Sequence, residues 1–274
     1  MSEKRLPAWL RIFSFGVYAY IYVPILTLMV FSFNTMKLNV RWQGFTLGWY
    51  KVLFSDQQVA LAARNTLIIA VISTIVATVV GTLAALAMHR YRFPGYTASE
   101  TVMYFPIVIP EVVMGISLLV LFVLMNLKLG LVTITLSHIA FNIPFVALVV
   151  RARLHGYDNS IDEAAMDLGA DELTTFRRVT LPTIMPGVLS GAMLAFTLSL
   201  DDYVITYFTA GPGSTTLPLR VYSMVRFMVT PEVNALSTIW VVLVFVILLI
   251  GQIAQSRQSK VQLEGGTHED PLSR

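Results

Sequence analysis

Two sets of residues in this chain have the types and spacing to do chemistry. The first is Glu163-Ala164-Ala165, followed after three residues by Gly169 and after nine more by Val179-Thr180-Leu181-Pro182. Small alanines, a glycine and flanking acids, Asp167 among them, suit a close fit into a groove on another protein. The second set is Glu111, Asp201 and Asp202, acids inside otherwise apolar stretches. Each costs about 2.5–3.5 kcal/mol at the centre of a membrane helix, so it must face an interior, a cavity or a basic partner. A cation stripped of water gains from such company. On a continuous helix Asp202 shares a face with Ser199 and Thr206, a polar stripe suited to lining a pore. Asp201 would point about 100° away, and both aspartates become central only if the helix unwinds. Trp49 and Tyr50 could stack on a cation or anchor a membrane interface. His89, His138, His155 and His268 show no ligand spacing, and the cysteine count of 0 removes thiolate chemistry, so no metal site is expected. For His138, a satisfied polar contact is the expectation.

The elements that must position these residues are membrane helices. Only 13% of the 274 residues are charged and 56% are hydrophobic, against roughly 25% charged in a soluble domain. A soluble enzyme, a nucleic-acid binder and a disordered chain are thereby disfavoured. Charge-free runs at 12–36, 65–89, 129–150, 179–200 and 233–256 are long enough to cross about 30 Å of hydrocarbon and place spans at about 12–33, 65–89, 131–150, 187–209 and 235–255. A further span at 101–126 carries Glu111, and Pro106 and Pro110 should kink or interrupt it. The fold class expected is all-α integral membrane with six spans, not a barrel of short alternating strands.

The first run follows a basic segment (Lys4, Arg5, Arg11) but is too long for a cleavable signal and lacks small residues after it, so it reads as a retained anchor. Twelve of the 19 Lys and Arg fall on the N-terminal side of the membrane if residues 1–11 are a cytoplasmic tail, which favours both termini inside. The tail at 256–274 is expected to be disordered.

The longest cytoplasmic segment, 151–186, reads as a helical hairpin. Ser160 and Glu163 fit a capping box, and Gly169 supplies the left-handed residue that ends the first helix. Asp171 then opens a second helix, which Pro182 and Pro186 are expected to stop.

In both residue types and spacing, this segment resembles the E-A-A-x3-G-x9-[IV]-x-L-P loop of ABC-importer permeases. The chain is similar to that family, type I fold, over essentially residues 12–255. It most resembles the C-type permease subunits of spermidine/putrescine importers, in Trp42-Gln43-Gly44-Phe45, Arg90-Tyr91-Arg92-Phe93, Ser137-His138-Ile139, Phe196–Asp202 and Pro231–Ala235. Pro110-Glu111 stands where that family has Pro-Asp.

The resemblance implies a permease subunit moving polyamines into the cytoplasm by alternating access, multi-pass in a bacterial inner membrane. Glu163, Ala164, Ala165, Asp167, Gly169, Leu181 and Pro182 would form the ATPase-coupling element. Asp202, Asp201, Glu111, Ser199, Thr206, Trp49 and Tyr50 would belong to the substrate pathway. It also implies a dimer of ATPase subunits carrying ATP and Mg, a second homologous permease, a substrate-binding protein and surrounding lipid. This chain has no G-x4-G-K-[ST] site of its own, and no nucleic-acid partner is implied. The alternatives are a permease for another small organic cation and a self-sufficient secondary transporter or channel. A membrane enzyme is disfavoured because no H-E-x-x-H, no G-x-S-x-G and no clustered His/acid set stands out in the sequence.

Overall fold

The structure is a computed structural model describing residues 7–37 and 41–265. Its elements are α1 (Ala8–Phe31), α2 (Gly48–Ser55), α3 (Gln57–Arg90), α4 (Tyr96–Val108), α5 (Glu111–Leu124), α6 (Leu131–Leu154), α7 (Ser160–Asp167), α8 (Glu172–Thr175), a π turn (Phe176–Thr180), α9 (Leu181–Asp201), α10 (Val204–Thr209), α11 (Leu217–Phe227) and α12 (Pro231–Gly265). An isolated antiparallel bridge joins Asn34 and Phe45.

Among the described residues five helical stretches are long and apolar enough to cross a bilayer: α1, α3, α6, Glu172–Asp201, and Pro231–Ile253 within α12. The pair α4 and α5 makes a sixth if it counts as one span, and it is bent by 110°. Pro110 causes that break. It pushes the preceding Ile109 out of helical geometry, to φ −73°, ψ 136°, as the proline ring demands. Pro106, by contrast, stays inside α4.

The chain divides into two compact units, residues 1–60 with 220–244 and residues 61–219 with 245–274. In the first, α1 turns most of its large apolar side chains outward, Ile12, Phe15 and Tyr20 among them, as a helix bathed in lipid does. Beyond it the chain is organised by Asn34. Its side chain donates to the Arg41 carbonyl at 2.9 Å and accepts from the Gln43 N–H at 3.0 Å. Phe33 stacks on both Phe45 and Tyr50, with centroids 5.2 Å apart in each case.

In the second unit α6 is the central rod. Val146, Ala147, Val150 and Leu154 form a buried core with Ala77, Ala85 and Leu86 of α3 and Ile184, Val188 and Ala195 of α9. Small residues let membrane helices approach closely, because hydrocarbon offers no hydrophobic drive and packing must supply the attraction. Val146 receives a glycine from each side. A Cβ at Gly81 would lie 2.8 Å from the Val146 Cβ, and one at Gly191 would lie 3.2 Å from its Cγ1.

Four sequence expectations need correction. Ser160 is the first helical residue, not the cap. The Ser160 N–H is instead taken by the Asp158 carboxylate at 2.9 Å, a turn that an aspartate two residues earlier forms more readily than serine. Pro182 and Pro186 do not stop the second hairpin helix. Pro182 sits in the first turn of α9, where its missing N–H costs nothing, and Pro186 lies within that helix. The fifth span is not one helix, since Asp202 is extended at φ −61°, ψ 120° between α9 and α10. Finally, α12 continues past Ser256 to Gly265, through the start of the stretch expected to be disordered; residues 266–274, like 1–6 of the N-terminal tail, lie outside the described residues.

Gly81→Val should overpack the α3–α6 contact and cost roughly 1–3 kcal/mol. The purified variant is expected to melt at a lower temperature by intrinsic fluorescence; an unchanged melting temperature contradicts this packing.

Candidate functional site

The hairpin between α6 and α9 is built around one carboxylate. Asp162 is 5% exposed although it sits in the first turn of a short surface helix. It accepts from the Arg90 guanidinium, from the Tyr157 hydroxyl at 2.5 Å and from the Thr180 hydroxyl at 2.9 Å. Arg90 also donates to the Thr180 hydroxyl at 3.0 Å. These partners come from the end of α3, the α6–α7 turn and the last residue before α9, so one buried acid ties the hairpin to two membrane helices. Burial first, and the hydrogen bond to Asp162 second, push the Tyr157 phenol up to about 12, which keeps it a donor at any physiological pH.

With Asp162 turned inward, the opposite side of α7 faces outward. Glu163, Ala164, Asp167 and Gly169 are exposed and Ala165 is partly so, while Leu168 is 91% exposed. Gly169 ends the helix at φ +93°. Its N–H donates to the Met166 carbonyl at 2.8 Å and that of Ala170 to the Ala165 carbonyl at 3.1 Å, the paired bonds of a left-handed glycine stop. Asp171 then caps α8 through the Thr174 N–H at 3.0 Å, and the Thr174 side chain first, with this N–H second, holds its carboxyl below the usual range. From there Glu172–Asp201 runs on as one helical rod of 30 residues, with Leu181 and Pro182 in line. Beside the hairpin, Leu83, Ala87, Arg90, Tyr91, Leu173 and Phe176 line a mostly apolar groove of about 400 Å³.

At the far end of that rod the pathway candidates separate. Asp202 is drawn inward and its carboxylate caps α10, accepting from the Ile205 N–H at 3.3 Å and the Thr206 N–H at 2.8 Å. Thr206 adds its hydroxyl at 2.7 Å and His138 its Nε2 at 3.1 Å. The other ring nitrogen of His138 meets the Ser199 hydroxyl at 2.6 Å, and Ser199 meets Ser73 of α3 at 3.0 Å. The side chains of His138 and Asp202 are 3% and 6% exposed. A His/acid cluster therefore exists, contrary to the expectation of none, because folding brings together residues far apart in the chain. Its serine is buried, as a packed polar seam requires and as attack on a substrate does not.

Asp201 remains exposed, and so does Glu111 at the start of α5, where a carboxylate is favoured by the helix N-terminus. The helix that carries Glu111 packs against α10. Trp49 and Tyr50 belong to the other unit. There the Trp49 indole donates to the Asn34 carbonyl at 2.8 Å and the Tyr50 hydroxyl bonds Ser32 at 2.7 Å, and Phe33 covers one face of the Tyr50 ring. Among the described residues no group of His, Cys, Asp or Glu could hold a metal ion.

Sequence reasoning missed Arg90, Tyr157 and Asp162, although an acid directly before Glu163 and a basic residue closing α3 were both visible. It also assigned His138 no named partner.

The family model described as "Binding-protein-dependent transport system inner membrane component" matches residues 77–260. The chain belongs to this family. The spermidine/putrescine transport system permease protein PotC of Escherichia coli K12 is 44% identical, over 90% of this chain and 94% of PotC. The putrescine transport system permease protein PotI of the same organism is 42% identical over 90% of each chain. Among solved structures, a chain of a bacterial ABC transporter that imports alginate superposes with a TM-score of 0.71 at 18% identity, covering 91% of this chain and 94% of that one. A chain of the inward-facing MetNI methionine transporter gives 0.63 at 18% identity, covering 78% and 99%. Those likenesses establish the fold of ABC-importer permeases. As an inner-membrane component of this family, the protein is a transport subunit and not an enzyme, and it works with an ATPase and a binding protein.

Asp162→Ala removes the acceptor shared by Arg90, Tyr157 and Thr180. Breaking a buried ion pair costs about 3–5 kcal/mol, discounted here because Arg90 is 30% exposed. Amide hydrogen exchange across 157–180 should speed up by at least about tenfold, with α6 unaffected; unchanged exchange in the hairpin contradicts the anchoring role.

Proposed function

We propose that this chain is the permease subunit of an ATP-driven importer of polyamines, spermidine or putrescine, working with a second similar permease and a pair of ATPase subunits. Both termini face the cytoplasm, and ATP and Mg reside on the ATPase. The observation that carries the reading is the hairpin at 157–180, which offers a small-residue face outward while a buried carboxylate holds it to α3 and α9. The identity to PotC and PotI over most of the chain supports the substrate class.

The geometry suggests how such a permease would couple. Glu163, Ala164, Ala165, Asp167 and Gly169 form the surface that a groove on the ATPase accepts. A push on that surface reaches Leu181 and Pro182 without passing through a flexible joint, because Thr180 is bonded to Asp162 and the helix is continuous from Glu172. A helix of that length extends roughly 45 Å at 1.5 Å per residue, enough to carry a cytoplasmic movement to the break at Asp202. Asp201 and Glu111 then supply negative charge along the pathway, with Ser199, Asp202 and Thr206 behind them. A desolvated ammonium needs such charge.

The test is uptake of labelled spermidine, with putrescine as competitor, into vesicles holding the complete complex. Uptake should require both ATP and the binding protein. ATP hydrolysis without polyamine entry contradicts the substrate class, and activity of this chain alone contradicts the importer reading. Gly169→Asp places a charged side chain on the docking face at a left-handed position. It should cut uptake at least about tenfold while hydrolysis continues, because a non-glycine there is strained; normal coupled uptake contradicts the docking assignment.

A further inference from the structure

We propose that His138 and Asp202 are positioning residues for transport, a polar latch that holds the break in the fifth span, and that Asp202 does not touch substrate. The inference rests on the importer reading above and divides the work among its acids.

The direction of each hydrogen bond follows from the chemistry of the groups. A carboxylate only accepts, so the Nε2 of His138 carries the proton and shares it between Asp202 at 3.1 Å and the Thr206 hydroxyl oxygen at 2.9 Å, whose own proton goes to Asp202. Its Nδ1 is then an acceptor, and Ser199 donates to it at 2.6 Å. Ser199 has spent its proton, so Ser73 donates to Ser199 at 3.0 Å. The result is a chain of donors running from α3 through α9 and α6 to the first residue beyond α9. A directed chain of this kind in a low-dielectric interior has one favoured arrangement.

Asp202 has no acceptor capacity to spare on its inner oxygen. That atom, Oδ2, takes His138, the Thr206 hydroxyl at 2.7 Å and the Thr206 N–H at 2.8 Å. These bonds explain why a span with neither proline nor glycine at this point breaks here. An aspartate that can cap a new helix and meet a histidine competes successfully with one more turn of α9. The break lets adjacent aspartates part, one drawn inward and Asp201 left exposed. It also sets the path of α10, which packs on α5 through Phe208 over Gly115, and α5 begins with Glu111.

Substituting an amide separates positioning from charge. In Asp202→Asn the amide oxygen can occupy the Oδ2 position and keep its three donors, losing only the 3.3 Å bond from the Ile205 N–H, so the latch survives without its charge. Asp202→Ala and His138→Ala lose it. In the reconstituted complex, Asp202→Asn should keep maximal polyamine uptake within about threefold of the parent. Asp202→Ala and His138→Ala should lower it by about tenfold or more while KM for the loaded binding protein stays within about twofold. Asp201→Asn should do the reverse, raising KM. If His138→Ala fails to assemble, Ser199→Ala, which removes only the middle link, should lower maximal uptake with KM unchanged. The proposal is overturned if Asp202→Asn is as impaired as Asp202→Ala, since charge would then matter. It is equally overturned if His138→Ala or Ser199→Ala raises KM with maximal uptake retained, or leaves both at parental values. Loss of the importer reading would show differently, as a parent complex that takes up no polyamine.

Discussion

A carboxylate taken out of water must find enough donors to replace its hydration, and two that do so stand at the two ends of α9. At the hairpin end Asp162 collects Arg90, Tyr157 and Thr180. At the other, Asp202 collects His138 and Thr206. The helix between them is uninterrupted, and its packing against α6 is kept close by Gly191 and Ala195. An interior acid left unpaired would be costly, so each end of the rod has one arrangement that satisfies it. A rod fixed at both ends in this way passes on a displacement as one piece instead of absorbing it along its length.

The hairpin shows why a surface loop is built on a buried charge. An isolated helix as short as α7 has little stability of its own, yet a docking element must transmit force without melting. Anchoring it through its inward acid solves that while leaving Ala164, Gly169 and the other outward residues free for a partner. Leu168, nearly fully exposed, fits the same reading, since a large apolar side chain displayed on a soluble tip marks a contact surface.

Much of this was legible in the chain before its structure. Long apolar runs located the membrane helices because hydrocarbon permits almost no other spanning element. The spacing from Glu163 to Pro182 identified the hairpin and its glycine stop, both local features. The break at Asp202 was not legible. Helical periodicity placed Ser199, Asp202 and Thr206 on one face, and they do meet, but around a histidine from another helix instead of on an open stripe. His138 lies more than sixty positions from Asp202, and no local pattern announces such a contact. Pro110 revealed its break because proline acts through its own backbone, whereas Asp202 acts through a partner. Asp162 was overlooked for a similar reason, since the residues that bury it come from α3 and from beyond Gly169.

The central claim is that movement at the hairpin is carried along α9 to the break and changes what Asp201 faces. The absence of cysteine from this chain allows a direct measurement: the labelling rate of Asp201→Cys by a water-soluble thiol reagent, with and without ATP, in the assembled complex. The account predicts a change of at least about fivefold in rate between the nucleotide states, abolished when Gly169→Asp is added. Equal labelling of Asp201→Cys in both states, or a nucleotide response that survives Gly169→Asp, would contradict it.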